Sequence, residues 1–272
     1  MPNEKTKQLI EEGRRFLKFE VDDIDEPTDQ ELKLPQPPLT KAKMTEEQFD
    51  LPIYFEQLPI HPSFLDIVNH RESHRVYTEK PISLLELSFL LWTTQGIKSI
   101  RGNHYATLRT VPSGGARHEF ETYLWVNQVE GLKKGIYHYL PSTHQIELIN
   151  QDINLKTSIG PALSGQSWAE SASVVFFWTV IPYRSEWRYS HFAHRIILVD
   201  IGHVCQNLYL ACEAIQLGTC AIGAFVGEQC DTLLGVDGKD EFTILVSPVG
   251  SIRESDKANE LAFYAFLKEN QK

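Results

Sequence analysis

The sequence predicts an α+β fold, with a mostly antiparallel sheet packed around one long buried helix. Three observations carry this. The runs "TYLWVNQV", "GIYHYLP" and "HQIELI" follow one another between turn residues and are rich in β-branched and aromatic side chains, as successive strands are. "ASVVFFWTVI" is apolar on both faces, which suits a covered central strand. "HRIILVDIGHVCQNLYLACEAIQLG" holds helical spacing longer than any other stretch.

Taken along the chain, residues 1–65 differ in texture from the rest and form an N-terminal extension that wraps or precedes a core at 66–272. Within it "NEKTKQLIEEGRRFLKF" is spaced as a helix, "EVDDIDEPTDQE" is an acidic loop, and "LPQPPLT" is too rich in proline for regular structure. The core opens with "SFLDIVNHRESHRVY". Ser83, with Glu86 three places on and Leu84, Leu85, Leu87, Leu90 and Leu91 around it, predicts a capping box and a helix ending near Gly96. The three strands follow, with a turn at Gly131 after the first. The long helix carries Val204, Leu208, Cys212 and Ile215 on one stripe and stops at Gly218. "FTILVSPVG" is the last central strand.

Composition bounds the function. The chain of 272 residues is long enough for a sizeable core, and its net charge of −10 argues against nucleic acid or an anionic membrane as the main partner, since both reward a basic surface. Any cationic site is therefore local. Cys205, Cys212, Cys220 and Cys230 form no C-x-x-C pair and no metal spacing, and read as buried reduced thiols. No charged start leads into an apolar run, and no apolar stretch approaches a membrane span of about 18 residues. The expectation is a soluble cytoplasmic protein.

Four stretches carry candidate chemistry. In "HRESHRVY", Arg71, Ser73 and Arg75 share one face if the backbone is extended; they are either a donor cluster for a dianion or a solvated charged loop. In "RTVPSGGARHEFETYLWV", Pro112 restricts Val111, Ser113 offers a hydroxyl, and Gly114 and Gly115 let a ligand approach the backbone, or the segment is a plain turn. In "QLGTCAIGAFVG", Gly218 ends the helix and Gly223 with Ala224 makes a second small-residue patch whose amides can meet a flat ring edge, though a helix cap with close packing accounts for it equally. In "SEWRYSHFAHR", Tyr189 is a candidate proton carrier, because a phenol beside a cation titrates below its usual value of about 10. Arg188 is that cation and cannot itself be a base. His191 and His194 lack a third ligand nearby in sequence, so a metal is not expected. The alternative for this stretch is an aromatic loop covering a pocket.

In this order, from about Arg71 to Gly250, the chain resembles the FMN-dependent nitroreductase family. Within that family "PSGGARH" with its glutamate-bearing strand, then "GIYHY", resembles the SagB-type dehydrogenases, which oxidise azolines to thiazoles and oxazoles in modified peptides. The resemblance implies a nitroreductase-like fold in an interlocked homodimer with two interface flavins, the helix from about Arg195 to Leu217 forming the dimer core. It implies that Arg71, Ser73 and Arg75 hold the FMN phosphate, with Arg253 a further donor. Pro112, Ser113, Gly114 and Gly115 would lie along the flavin, reaching across from the second subunit. Gly223 and Ala224 would bring amides to its N5 and O4 edge, with Gly218 and Thr219 close by. Arg188 and Tyr189 would be catalytic, and the sequence departs from the azoline oxidases here, which usually carry Lys-Tyr. His194 also stands where an aromatic is common.

The leading expectation is thus a SagB-like dehydrogenase taking hydride from an azoline-type or related peptide or small molecule. A reductase of nitro or quinone compounds fed by NAD(P)H is the second; no G-x-G-x-x-G is present, so nicotinamide would stack on the flavin and leave in turn. The third is a non-catalytic flavin- or peptide-binding subunit of a biosynthetic complex, docking through the acidic extension.

Overall fold

The computed structural model describes residues 3–18, 26–151 and 159–253. Residues 20–25, which open the expected acidic loop, and 254–272, which end the expected core domain, lie outside the described residues. The sheet has seven strands: β1 (Gln48–Asp50), β4 (Phe120–Val126), β5 (Gly135–Leu140), β6 (Gln145–Asn150), β7 (Val174–Val180), β8 (Leu217–Thr219) and β9 (Phe242–Ser251). Their order is β1-β6-β5-β4-β7-β9-β8, and every pairing is antiparallel.

β7 is buried throughout and flanked by β4 and β9, and its alternating side chains feed two cores. Val174, Phe176, Trp178 and Val180 pack with Leu87, Leu90 and Leu91 of α3 (Leu84–Gln95) and with Ile197, Val204 and Leu208 of α5 (Ala193–Ala214). Val175 and Phe177 face the opposite side, with Ile222 and with Leu234 of α6 (Gly227–Leu234). A fully buried Phe contributes about 2–3 kcal/mol, so two-sided burial makes this strand the spine of the molecule. α3 begins in the expected capping box, Ser83 receiving the Glu86 amide while the Glu86 carboxylate receives the Ser83 amide, and is capped by Gly96.

Three local differences from the sequence reading have physical causes. The long helix stops at Ala214, because Gln216 adopts φ +60° and turns the chain. Gly218 therefore lies in β8, paired with Gly250, and ends no helix. "SEWRYSHFAHR" is no loop: α4 (Tyr183–Tyr189) and a short 3₁₀ turn lead into α5. A separate hairpin, β2 (Ile97–Arg101) and β3 (Ala106–Arg109), follows α3.

The front segment is joined to this body. α1 (Glu4–Leu17) buries no residue, but β1 is the edge strand beside β6, and Leu51 enters the core. Lys41 donates to Tyr123 and forms an ion pair with Glu241.

Candidate active site

α2 (Phe64–His70) is capped by the Ser63 side chain and ends at Arg71, after which the chain runs extended beside β8. The His74 amide donates to the Thr219 carbonyl at 2.9 Å, and the Thr78 amide to that of Ser251 at 2.8 Å. Along this segment the side chains meet two aromatic residues. The Arg71 guanidinium lies 5.3 Å from the ring centre of Tyr209 on α5, and Arg75 lies 5.9 Å from that of Trp168. Ser73 Oγ is 3.0 Å from Tyr209 Oη, which also accepts the Ala221 amide at 2.8 Å. That second bond lets Tyr209 donate to Ser73 and leaves the serine proton for a bound oxyanion.

His74 faces the other way, onto Gly218. A Cβ on Gly218 would stand 2.5 Å from Ile252 Cγ2 and 2.8 Å from His74 Cβ, so only glycine lets the extended segment lie this close. Arg253 directly follows Ile252, at the end of β9. Thr219 spends its hydroxyl inside the sheet, donating to the Pro248 carbonyl at 2.9 Å. Gly223 and Ala224 are exposed, nothing lies within 4 Å of a Cβ built on Gly223, and neither amide donates to an acceptor among the described residues.

The second group gathers around residues 112–118. Pro112 is exposed, and the backbone turns through positive φ at Gly115 (+58°), Ala116 (+54°) and His118 (+48°). Three polar contacts hold it: the Gly114 amide donates to Asp200 Oδ2 at 2.7 Å, the His118 amide to Ser113 Oγ at 2.9 Å, and Ser113 Oγ to Glu119 Oε2 at 3.4 Å. Burial, and after it the nearby Asp200, raise the Glu119 carboxyl to about 7; Asp200 is itself raised, chiefly by burial. Glu119 Oε1 is buried without a partner among the described residues.

Arg188 and Tyr189, at the end of α4, close over this turn. A Cβ on Gly115 would stand 2.5 Å from Tyr189 Oη and 2.8 Å from Arg188 Cδ. Arg188 donates to Tyr105 Oη. α4 is anchored one turn earlier, where Arg184 meets Glu121 at 2.5 Å. Glu121 belongs to a buried line across three strands: His138 Nε2 is 3.0 Å from Glu121 Oε2, and His138 Nδ1 is 2.8 Å from Glu147 Oε1. Burial opposes a charge on His138, but hydrogen bonds to both glutamates outweigh it and raise its pKa. Glu121 is held well below the usual carboxylate range: burial pushes it up, and Arg184 and His138 more than reverse this. The line thus fixes the helix carrying Arg188.

His194 pairs with Glu186 at 2.7 Å, and among the described residues no group of three side chains could hold a metal ion. All four cysteines are buried and free.

The two groups lie along opposite parts of α5. Asp200 and Tyr209 are nine residues apart, about 14 Å of helix rise. No hydrogen bond or ring contact joins Arg71, Ser73 or Tyr209 to residues 112–115, Arg188 or Tyr189 among the described residues.

Residues 68–251, about two thirds of the chain, match the nitroreductase family. The chain belongs to the nitroreductase family. MJ1384 of Methanocaldococcus jannaschii, provisionally named a nitroreductase, is 31% identical over 68% of this chain and 89% of its own. The trifolitoxin-processing protein TfxB of Rhizobium leguminosarum bv. trifolii is 28% identical over 67% of this chain, which spans only 46% of TfxB. A crystal structure described as a nitroreductase from Anabaena variabilis superposes with a TM-score of 0.61 at 25% identity, covering 79% of this chain and 45% of that one. The protein is therefore an oxidoreductase of the nitroreductase family, with that family's α+β fold, and members of the family typically bind flavin. No described helix is long and apolar enough to cross a membrane.

Sequence reasoning named the arginines, the serine and the glycines but not Tyr209, Asp200, Glu119 or Tyr105. Tyr209 and Asp200 sit in the long apolar helix pattern, where neither residue type signals its partner. An acidic residue inside an apolar helical run was the one available sign, for Asp200.

Proposed function

We propose that the protein is an FMN-dependent oxidoreductase in which Arg71, Ser73 and Arg75 hold the FMN phosphate. The observation that carries this is the extended segment on β8. In a chain of net charge −10, two guanidiniums and one hydroxyl lie within five residues, Arg71 and Ser73 at Tyr209 and Arg75 at Trp168, and the hydroxyl is oriented by Tyr209. Guanidiniums donate forked, charge-assisted bonds that suit a phosphate monoester. The exposed amides of Gly223 and Ala224 are donors for the edge of the ring, and Arg253 is a further donor to the phosphate. When bound, the flavin supplies the hydride chemistry; the protein supplies position, charge and the proton.

Tyr189 holds that proton at its phenolic oxygen, against the Gly115 backbone. Arg188 stays charged, orients Tyr105 and favours negative charge nearby. A SagB-like dehydrogenase acting on an azoline-type or related substrate is the first reading, and the likeness to a protein named for trifolitoxin processing supports it. An NAD(P)H-dependent nitro or quinone reductase is the second. The observation favouring it is Arg188 itself, because an arginine cannot take a proton from a substrate carbon as a lysine can.

The site is completed in a homodimer. The separation of the two groups along α5 supports this, as do Leu198 and Val199 on the same helix, 52% and 54% exposed, and Phe64 and Leu65 on α2, 68% and 67% exposed. The experiment is a visible spectrum followed by anaerobic titration. A yellow protein bleached by an azoline peptide without nicotinamide supports the dehydrogenase; one bleached only by NAD(P)H supports the reductase. A colourless protein that takes up no FMN overturns both.

A further inference from the structure

A cavity of about 440 Å³ opens beside the candidate catalytic pair, lined by Arg101, Tyr105, Ala106, Ser113, Gly115, Ala116 and Arg188. Its wall is rich in positive charge. Arg101 stands exposed at the end of β2, and Arg188 reaches in from α4. Arg117 lies behind them, buried, 4.9 Å from the Tyr105 ring centre and 5.6 Å from that of Trp187, and is bonded only to the Gly115 and Tyr105 carbonyls, at 3.1 and 2.9 Å. Among the described residues none of the three forms an ion pair, although the chain carries ten more acidic than basic residues. Glu119, bonded to the lining residue Ser113, lies beside the cluster and acts on Arg117, but burial and Asp200 raise it to about 7, so it offsets the three cations only in part and an added anion is favoured.

Tyr105 supplies the directional element. Its oxygen accepts Gln30 Nε2 at 2.9 Å and Arg188 Nη1, so both of its lone pairs are engaged and its own proton is left to donate into the cavity it lines. A phenol donor in a cavity that two guanidiniums also line, with Arg101 exposed, matches a planar oxyanion at one end of a substrate whose other end reaches Ser113 and Gly115.

We propose that this cavity binds a carboxylate of the substrate, with Arg101, Arg188 and Tyr105 as its donors. The proposal rests on the flavin-enzyme reading for the identity of the neighbouring chemistry, and it turns Arg188 from a displaced base into an anchor. It selects acidic peptides or free C-termini, or aromatic acids in the reductase reading, over their neutral counterparts.

The test uses 4-nitrobenzoate and 4-nitrobenzamide as probes, titrated calorimetrically at low salt into the full chain with and without FMN. The expected result is that the acid binds about tenfold more tightly than the amide, the worth of one charge-assisted contact. Arg101→Gln, at an exposed position, removes that preference without moving amide affinity or the thermal midpoint, and Arg101→Lys restores part of it. Equal affinities in the native protein, or an undiminished preference in Arg101→Gln, overturn the proposal. Inorganic phosphate binding more tightly than the acid at this cavity overturns the carboxylate assignment. FMN uptake is read separately by absorbance: a protein that keeps the acid preference but takes no FMN refutes the flavin reading alone, and one that takes FMN without the preference refutes the pocket alone.

Discussion

The Gly114 amide donates to Asp200 Oδ2 at 2.7 Å, tying the glycine turn to the middle of the longest helix. Beside it Glu119 is fully buried and raised to about 7, against 4.5 for the free side chain. A raised carboxyl binds its proton more tightly folded than unfolded, so its contribution is complete below pH 4.5 and is lost as the pH climbs through 7. Stability should fall across that window by up to about 3 kcal/mol. Glu119→Gln should flatten the fall, which urea midpoints at pH 5 and pH 8 will measure; an unchanged slope would show that Glu119 is not the titrating group.

Gly115 combines φ +58° with contact to the Arg188 and Tyr189 side chains. Gly115→Ala should cost about 1–3 kcal/mol of backbone strain and push Tyr189 out of place. The expected signature is turnover per bound flavin reduced at least about tenfold. Loss of FMN with retained turnover per bound flavin would place the turn in the wrong half of the site.

If Arg71 and Arg75 hold the phosphate as proposed, Arg71→Gln and Arg75→Gln should each weaken FMN binding by about ten- to a hundredfold. Tyr209→Phe should weaken it less, by several-fold, because it removes the bonds to Ser73 and the Ala221 amide but keeps the ring beside Arg71. Equilibrium dialysis of the three variants tests the order, and a Tyr209 effect larger than both arginine effects contradicts it.

Tyr189→Phe should lower turnover by about a hundredfold or more, the usual worth of a positioned proton donor, while FMN stays bound. Arg188→Lys should leave the proton step to Tyr189 but add a basic limb to the pH–rate profile, because a lysine can lose its charge there. Identical profiles for the two side chains would remove any role for the cation's permanence.

Leu198 and Val199 are exposed side by side on α5. Leu198→Glu should halve the particle mass seen by light scattering and release FMN together with it, since the glycine turn and the cradle then part company. A monomer that keeps FMN affinity would mean that one protomer holds the whole flavin site.

Much of this was legible along the chain. The two-faced apolar pattern of 174–180 made β7 central, and Ser83 and Glu86 made α3. These are local facts: side-chain alternation, caps and turns act within a few residues, so the sequence alone decides them. What it did not decide depends on contacts between distant residues. Gly218 read as a helix stop, yet it is a strand glycine because His74 and Ile252 press on it from segments that only folding brings there. Asp200 reads as one polar residue in an apolar helix until the Gly114 amide meets it, and Tyr105 lies in a stretch with no signal until Gln30 and Arg188 converge on its oxygen. Spacing sets which way a side chain points; only the packed tertiary structure sets what it points at.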